Sequence, residues 1–236
     1  MATKNEAWVV GVGARAGLGA AIARRFAREG FAVVVSGRTP DKLAAVVNEI
    51  QDQGGVARAL PLDVSREADV RAAAEQLGDL EVAVFNAGGG TRAPTLDLSA
   101  QAFEDSWRVG TLGGFLFGRE ALRKLAARKQ GTLLFTGATA SLRGKPPFAG
   151  FAASKAGLRS LAQTFAREFG PQGVHVAHVI IDGGIDGERL RTHSPDRDPD
   201  GLLGLDAIAD VYWHLHAQPR SAWTQELDLR PYKESF

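Results

Sequence analysis

Short apolar blocks alternate along this chain with longer stretches in which hydrophobic residues recur every three to four positions. Residues 8–11 are an apolar run that ends in a glycine-rich turn, after which Leu18, Ile22 and Phe26 recur at helical spacing as far as Gly30. Residues 31–35 form a second, valine-rich run. Thr39, Pro40 and Asp41 then predict a helix start, with the Thr39 hydroxyl as cap and Leu43, Val46, Val47 and Ile50 as the apolar face. The same reading predicts a strand over 56–62, a short helix capped by Ser65 and ending at Leu77, a strand over 82–85, and one long helix over 99–129 weakened by Gly110, Gly113 and Gly114. A strand over 133–135, a strongly periodic helix over 151–169, a strand over 174–181, a helix over 208–215 and an edge strand over 223–229 complete the chain.

Strands alternating with helices predict an α/β fold, a doubly wound and mostly parallel sheet of seven strands with right-handed crossovers and helices on both faces. No linker or repeat interrupts the 236 residues, so a single domain over 1–236 is expected. The least regular stretch, 183–204, is polar around Thr192–Gly201 and reads as a lid or substrate loop.

Composition narrows the chemistry. There is no cysteine, so disulfides, thiolate metal sites and a cysteine nucleophile are excluded, and no metal site is expected. A net charge of +1 speaks against a general nucleic-acid binder. Every apolar run is of strand length, too short to span a bilayer, and no signal-peptide core precedes Trp8. A cytoplasmic protein acting on a small molecule is the expectation.

The segment Gly11-Val-Gly13-Ala-Arg15-Ala-Gly17-Leu18-Gly19 follows a strand and opens a helix. Such a turn lets a diphosphate approach bare backbone at a helix N-terminus. Two registers overlap: Gly11-x-Gly13-x-x-Ala16 and Gly13-x-x-x-Gly17-x-Gly19. The second is preferred because the helical pattern starts at Leu18. The next strand ends Val35-Ser36-Gly37-Arg38, where an NAD site carries an acid for the ribose 2′-hydroxyl. No acid occurs before Asp41. Arg38 offers a guanidinium for a 2′-phosphate instead, with Arg15 as a second contact, so NADP is favoured over NAD.

These features join Asp63-Val64, Asn86-Ala87-Gly88, Ser154-Lys155-Ala156-Gly157 and the run 168–176 in a chain that resembles the short-chain dehydrogenase/reductase family from about residue 7 to 186. The resemblance implies a cofactor site built from Gly13, Arg15, Gly17, Leu18, Gly19, Arg38, Asp63, Val64, Asn86, Ala87, Gly88, Lys155 and Gly183. It also implies a tyrosine that transfers the proton, a lysine that lowers its pKa and holds the nicotinamide ribose, a serine that positions substrate, and an asparagine that holds a relay water. The lysine matches Lys155. The tyrosine falls on Phe151, the serine on Ala138 and the asparagine near Gly110. Phenylalanine has no ionisable group and transfers no proton.

Other groups at the carboxyl edge of the sheet are candidates for that role. Asp182 ranks first, as a carboxyl whose pKa burial could raise, with a plain anchor for the following loop as the equal alternative. Thr139 ranks second, beside Thr136 and Ser141. His193 could touch substrate or be solvated. The favoured function is an NADP(H)-dependent oxidoreductase of this family with a non-standard site; the alternative is a non-catalytic NADP(H)-binding sensor or partner subunit. The resemblance further implies a homodimer or homotetramer through the helices over 99–129 and 151–169.

Overall fold

The computed structural model describes residues 5–234. Seven parallel strands form the central sheet: β1 (Glu6–Val10), β2 (Ala32–Ser36), β3 (Val56–Ala59), β4 (Leu80–Phe85), β5 (Thr132–Thr136), β6 (His175–Ile181) and β9 (Glu226–Leu229), in the spatial order β3-β2-β1-β4-β5-β6-β9. The order reverses between β1 and β4, which opens a crevice at their carboxyl ends. A two-stranded parallel pair, β7 (Gly184–Ile185) and β8 (Leu202–Leu203), lies within the predicted lid.

Side chains alternate across the sheet and feed two cores. Ala7 and Val9 of β1 face α1 (Leu18–Arg28), α2 (Pro40–Asp52) and α8 (Leu205–His216). Trp8 and Val10 face α3 (Glu67–Glu75), α5 (Gly113–Arg128) and α6 (Ala149–Phe169). Both faces are covered, as a parallel sheet requires. No helix among the described residues is long and apolar enough to cross a membrane.

Several elements differ from the pattern reading. The Thr39 hydroxyl does not cap α2. Ser65 does not cap α3, which starts after Arg66; its hydroxyl instead donates to Asp63 Oδ1 at 2.7 Å. The helix expected over 99–129 is two helices, α4 (Ala100–Trp107) and α5, joined by a π turn over Arg108–Leu112. Such wide turns are frequent at functional sites. Gly110 sits within it because Ser154 fills the adjoining space: a Cβ at Gly110 would overlap the Ser154 Oγ. The lid over 183–204 has structure of its own, with a short α7 (Glu188–His193) beside the β7–β8 pair.

Candidate active site

The glycine turn after β1 packs directly on the turn after β4. Gly11 has φ +86, and a Cβ there would strike the Ala87 amide, so only glycine fits. Asn86 Nδ2 donates to the Gly11 carbonyl at 3.2 Å and ties the two turns together. A Cβ on Gly13 would meet nothing within 4 Å, so this face of the turn is open. Gly17 is the N-cap of α1 without a side-chain cap, and no acidic residue sits in the first turn. The first amides of α1 thus remain available to an anion. Leu18 and Val64 are 7% and 6% exposed, with side chains in the two cores. Only their main-chain groups can face a ligand.

Arg38 is exposed at the end of β2, with no ion pair among the described residues, and lies close enough to Asp63 to influence it. Burial alone would raise the Asp63 carboxyl, but the Ser65 amide and hydroxyl, helped by Arg38 and Arg66, outweigh it and hold the group below its usual range. Arg15 points elsewhere: its Nε pairs with Glu49 on α2 at 3.0 Å. The lid rests on the glycine turn, with the Glu188 amide donating to the Ala16 carbonyl at 2.8 Å.

Lys155 lies on α6 beneath the turn after β4. Its Nζ donates to the Thr136 carbonyl at 2.6 Å and sits 3.1 Å from where a Cβ on Gly88 would be. It also lies 5.8 Å from the centroid of the Phe151 ring. Burial without an ion-pair partner among the described residues lowers its pKa to about 8.

The two other catalytic candidates are joined. Asp182, 1% exposed at the end of β6, accepts the Thr139 hydroxyl proton at 2.5 Å. Its other oxygen faces Arg143 at 3.4 Å and Arg230 at 3.5 Å. Thr139 thus directs its hydroxyl hydrogen to Asp182, whose carboxyl lies against two guanidiniums. Asp182 thus has the contacts of an anchor as well as a place at the carboxyl edge of the sheet. Gly183, at φ +151, packs on Pro231, where a Cβ would lie 2.8 Å from Cδ. His193 Nδ1 donates to the Arg189 carbonyl within α7 at 2.7 Å.

A buried chain escaped the sequence reading. The Ala138 amide donates to Ser141 Oγ at 3.1 Å, which lies 3.3 Å from His178 Nε2. His178 Nδ1 lies 3.0 Å from Glu226, which Arg159 clamps with two bonds of 2.6 and 2.7 Å. Burial pushes His178 down to about 4 despite Glu226, so the ring is neutral at physiological pH. Period-two alternation on β6 places His178 on the face of α6, but nothing local marks its partner on β9. Tyr212, one of the two tyrosines of the chain, is fully buried on the opposite face, 2.6 Å from Thr136 Oγ1.

Residues 7–197 match the family described as short chain dehydrogenase. The chain belongs to the short-chain dehydrogenase/reductase family. A curated member, the short-chain dehydrogenase/reductase eriH of Hericium erinaceus, is 35% identical over 183 residues, covering 74% of this chain and 72% of that one. The solved short-chain dehydrogenase from Rhodopseudomonas palustris is 42% identical with a TM-score of 0.82, covering 97% of this chain and all of that one. An alcohol dehydrogenase from the archaeon Thermococcus sibiricus, complexed with 5-hydroxy-NADP, is 29% identical with a TM-score of 0.86, covering 98% of each chain. The family's sheet order and carboxyl-edge crevice are those described above.

Proposed function

We propose that this short-chain dehydrogenase/reductase is an NADP(H)-dependent oxidoreductase that works without a phenolic proton donor. The observation that carries this reading is the contrast within one crevice. The glycine turn and Arg38 fit a nucleotide, while a phenylalanine, Phe151, stands beside Lys155 with its ring centroid 5.8 Å from Nζ. The glycine turn fits a diphosphate because Gly13 is open and the start of α1 is uncapped. The exposed Arg38, with no acid at the end of β2, fits a 2′-phosphate. The 5-hydroxy-NADP held by the Thermococcus sibiricus relative agrees with that choice.

Bound in this crevice, the cofactor would supply or accept the hydride. The residues of the chain bind and orient it. Amides at Gly13, Gly17 and Gly19 would hold the diphosphate, Arg38 the 2′-phosphate, Asp63 the adenine amino group, and Asn86–Gly88 with Lys155 the nicotinamide-side ribose. Arg15 would join Arg38 only by leaving Glu49. Phe151 packs against Gly90 of the turn after β4. Lys155 is the remaining proton carrier: a group with a pKa of about 8 gives up and regains a proton readily near neutral pH.

The test is a fluorescence titration with NADPH and NADH, followed by NADPH oxidation with a carbonyl and imine panel. NADPH is expected to bind at least tenfold more tightly than NADH, and Arg38→Ala to erase that preference through NADPH alone. Equal affinities in the native protein would refute the cofactor choice. Cofactor binding with no turnover of any substrate class would favour the non-catalytic alternative.

A further inference from the structure

We propose that the substrate taken by this site is an organic anion carrying a carboxylate, and that Arg143 selects it. The proposal rests on the nicotinamide-dependent reading of the crevice and names the substrate class that reading leaves open.

Arg143 follows β5 by seven residues, and its Nη2 reaches Asp182 at the end of β6. Both strand ends belong to the carboxyl edge of the sheet, where ligands enter this fold. Asp182 is 1% exposed and is bonded by Thr139 and faced by Arg230, so it is a fixed support. The Arg143 side chain is 49% exposed and touches Asp182 through a single contact of 3.4 Å. A guanidinium has five N–H donors in a rigid fork. One donor is spent on the support, and Nε and Nη1 form no hydrogen bond or ion pair among the described residues. That edge matches a carboxylate in two-point geometry.

The surroundings have the same sign. The segments 88–96 and 142–148 flank this edge and are joined by the Ala93 amide, which donates to the Pro147 carbonyl at 3.2 Å. Between them they carry Arg92, Arg143 and Lys145 and no aspartate or glutamate. Arg92 lies 5.5 Å over the Phe148 ring at the start of α6, and neither it nor Lys145 has an ion-pair partner among the described residues. Asp182 faces Arg143, and it already faces Arg230 as well. A neutral carbonyl compound would leave this excess uncompensated, whereas a carboxylate is drawn in and held.

Calorimetric titration with oxalate and with its neutral diamide, oxamide, tests the proposal, run with and without saturating NADPH. Oxalate is expected to bind at least tenfold more tightly than oxamide. Arg143→Gln should weaken oxalate at least tenfold with NADPH affinity unchanged. Arg143→Lys, which keeps the charge but not the fork, should fall between. Lys145→Gln, on an exposed side chain, should weaken oxalate by a smaller factor and guards against a misfolded Arg143 variant. Equal binding of oxalate and oxamide, or undiminished oxalate binding by Arg143→Gln, overturns the proposal. Failure of NADPH to bind would refute the cofactor reading alone, because the cofactor-free oxalate titration still reads Arg143.

Discussion

Replacing Lys155 by methionine should make the folded chain less dependent on alkaline pH. The ammonium is buried, accepts no ion pair among the described residues, and has the Thr136 carbonyl at 2.6 Å as its hydrogen-bond partner. Burial moves its pKa from 10.5 to about 8, and at about 1.4 kcal/mol per pKa unit this corresponds to roughly 3 kcal/mol of penalty on the charged form. The sign follows from linkage. Between about pH 8 and 10.5 the unfolded chain holds this proton and the folded chain does not, so native stability rises with pH across that window. Below about pH 8 both states are protonated and the full penalty is present. Methionine removes the penalty and also removes a charge-assisted hydrogen bond worth about 1.5–3 kcal/mol. At pH 7 the variant is therefore expected to equal the native protein or exceed it by about 1–2 kcal/mol. Its advantage should then shrink by about 3 kcal/mol as pH rises from 8 to 10.5. Urea unfolding followed by far-ultraviolet circular dichroism, for both proteins at matched ionic strength, measures the difference directly. Stability curves that stay parallel from pH 7 to 10.5 would show that no buried, unpaired ammonium exists at this position. The same variant should lose most of its NADPH affinity, a trade of stability against function.

Three further outcomes are expected. Phe151→Tyr alone should change carbonyl reduction little, whereas Phe151→Tyr with Ala138→Ser should raise it measurably toward the roughly 10²–10⁴-fold that a positioned acid contributes; steady-state assay with a simple ketone reads this, and an unchanged rate in the double variant would contradict it. Gly110→Asn should destabilise the fold by about 1–3 kcal/mol through overpacking against Ser154, with much of the loss recovered in Gly110→Asn with Ser154→Gly; thermal melts decide, and a neutral single variant would show that the π turn yields freely. The protein should be a homodimer or homotetramer by light scattering at micromolar concentration, since Phe103, Trp107 and Phe115 on α4 and α5 are 40%, 40% and 37% exposed; a monomer would refute it. Phe117 on α5 and Phe165 on α6 are 0% and 6% exposed, in the core.

The elements legible in the sequence are those whose signal is local. The strands β1, β2, β4 and β6 are buried on both faces and read as mostly apolar runs. The glycine turn announces itself by residue type, because Gly11 needs a positive φ and close approach to Ala87. Thr139 and Asp182 were each visible as polar residues at strand ends. Their partnership was not, since they stand 43 residues apart, and it is the partnership that takes the proton of one to satisfy the other. His178 and Glu226, 48 residues apart, were hidden for the same reason. Arg143 has no local sequence signal; its direction is set by the buried Asp182 behind it.

The residues at positions 110, 138 and 151 sit among neighbours that constrain one another through space. Ser154, one turn from Phe151 on α6, fills the volume beside the π turn and leaves room only for glycine at 110. With alanine at 138 no hydroxyl leaves that residue for the crevice, and its amide is held by Ser141, whose hydroxyl is in turn engaged by His178. His178 needs Gly137 beside it, because a Cβ there would overlap the ring nitrogen. Lys155, with a phenyl ring above it, turns to the Thr136 carbonyl. Ser141, His178 and Lys155 thus each have a partner within the protein. Substituting any one position back therefore meets a neighbour already committed elsewhere, which is why the double variant at 138 and 151 is the smallest change expected to move the chemistry.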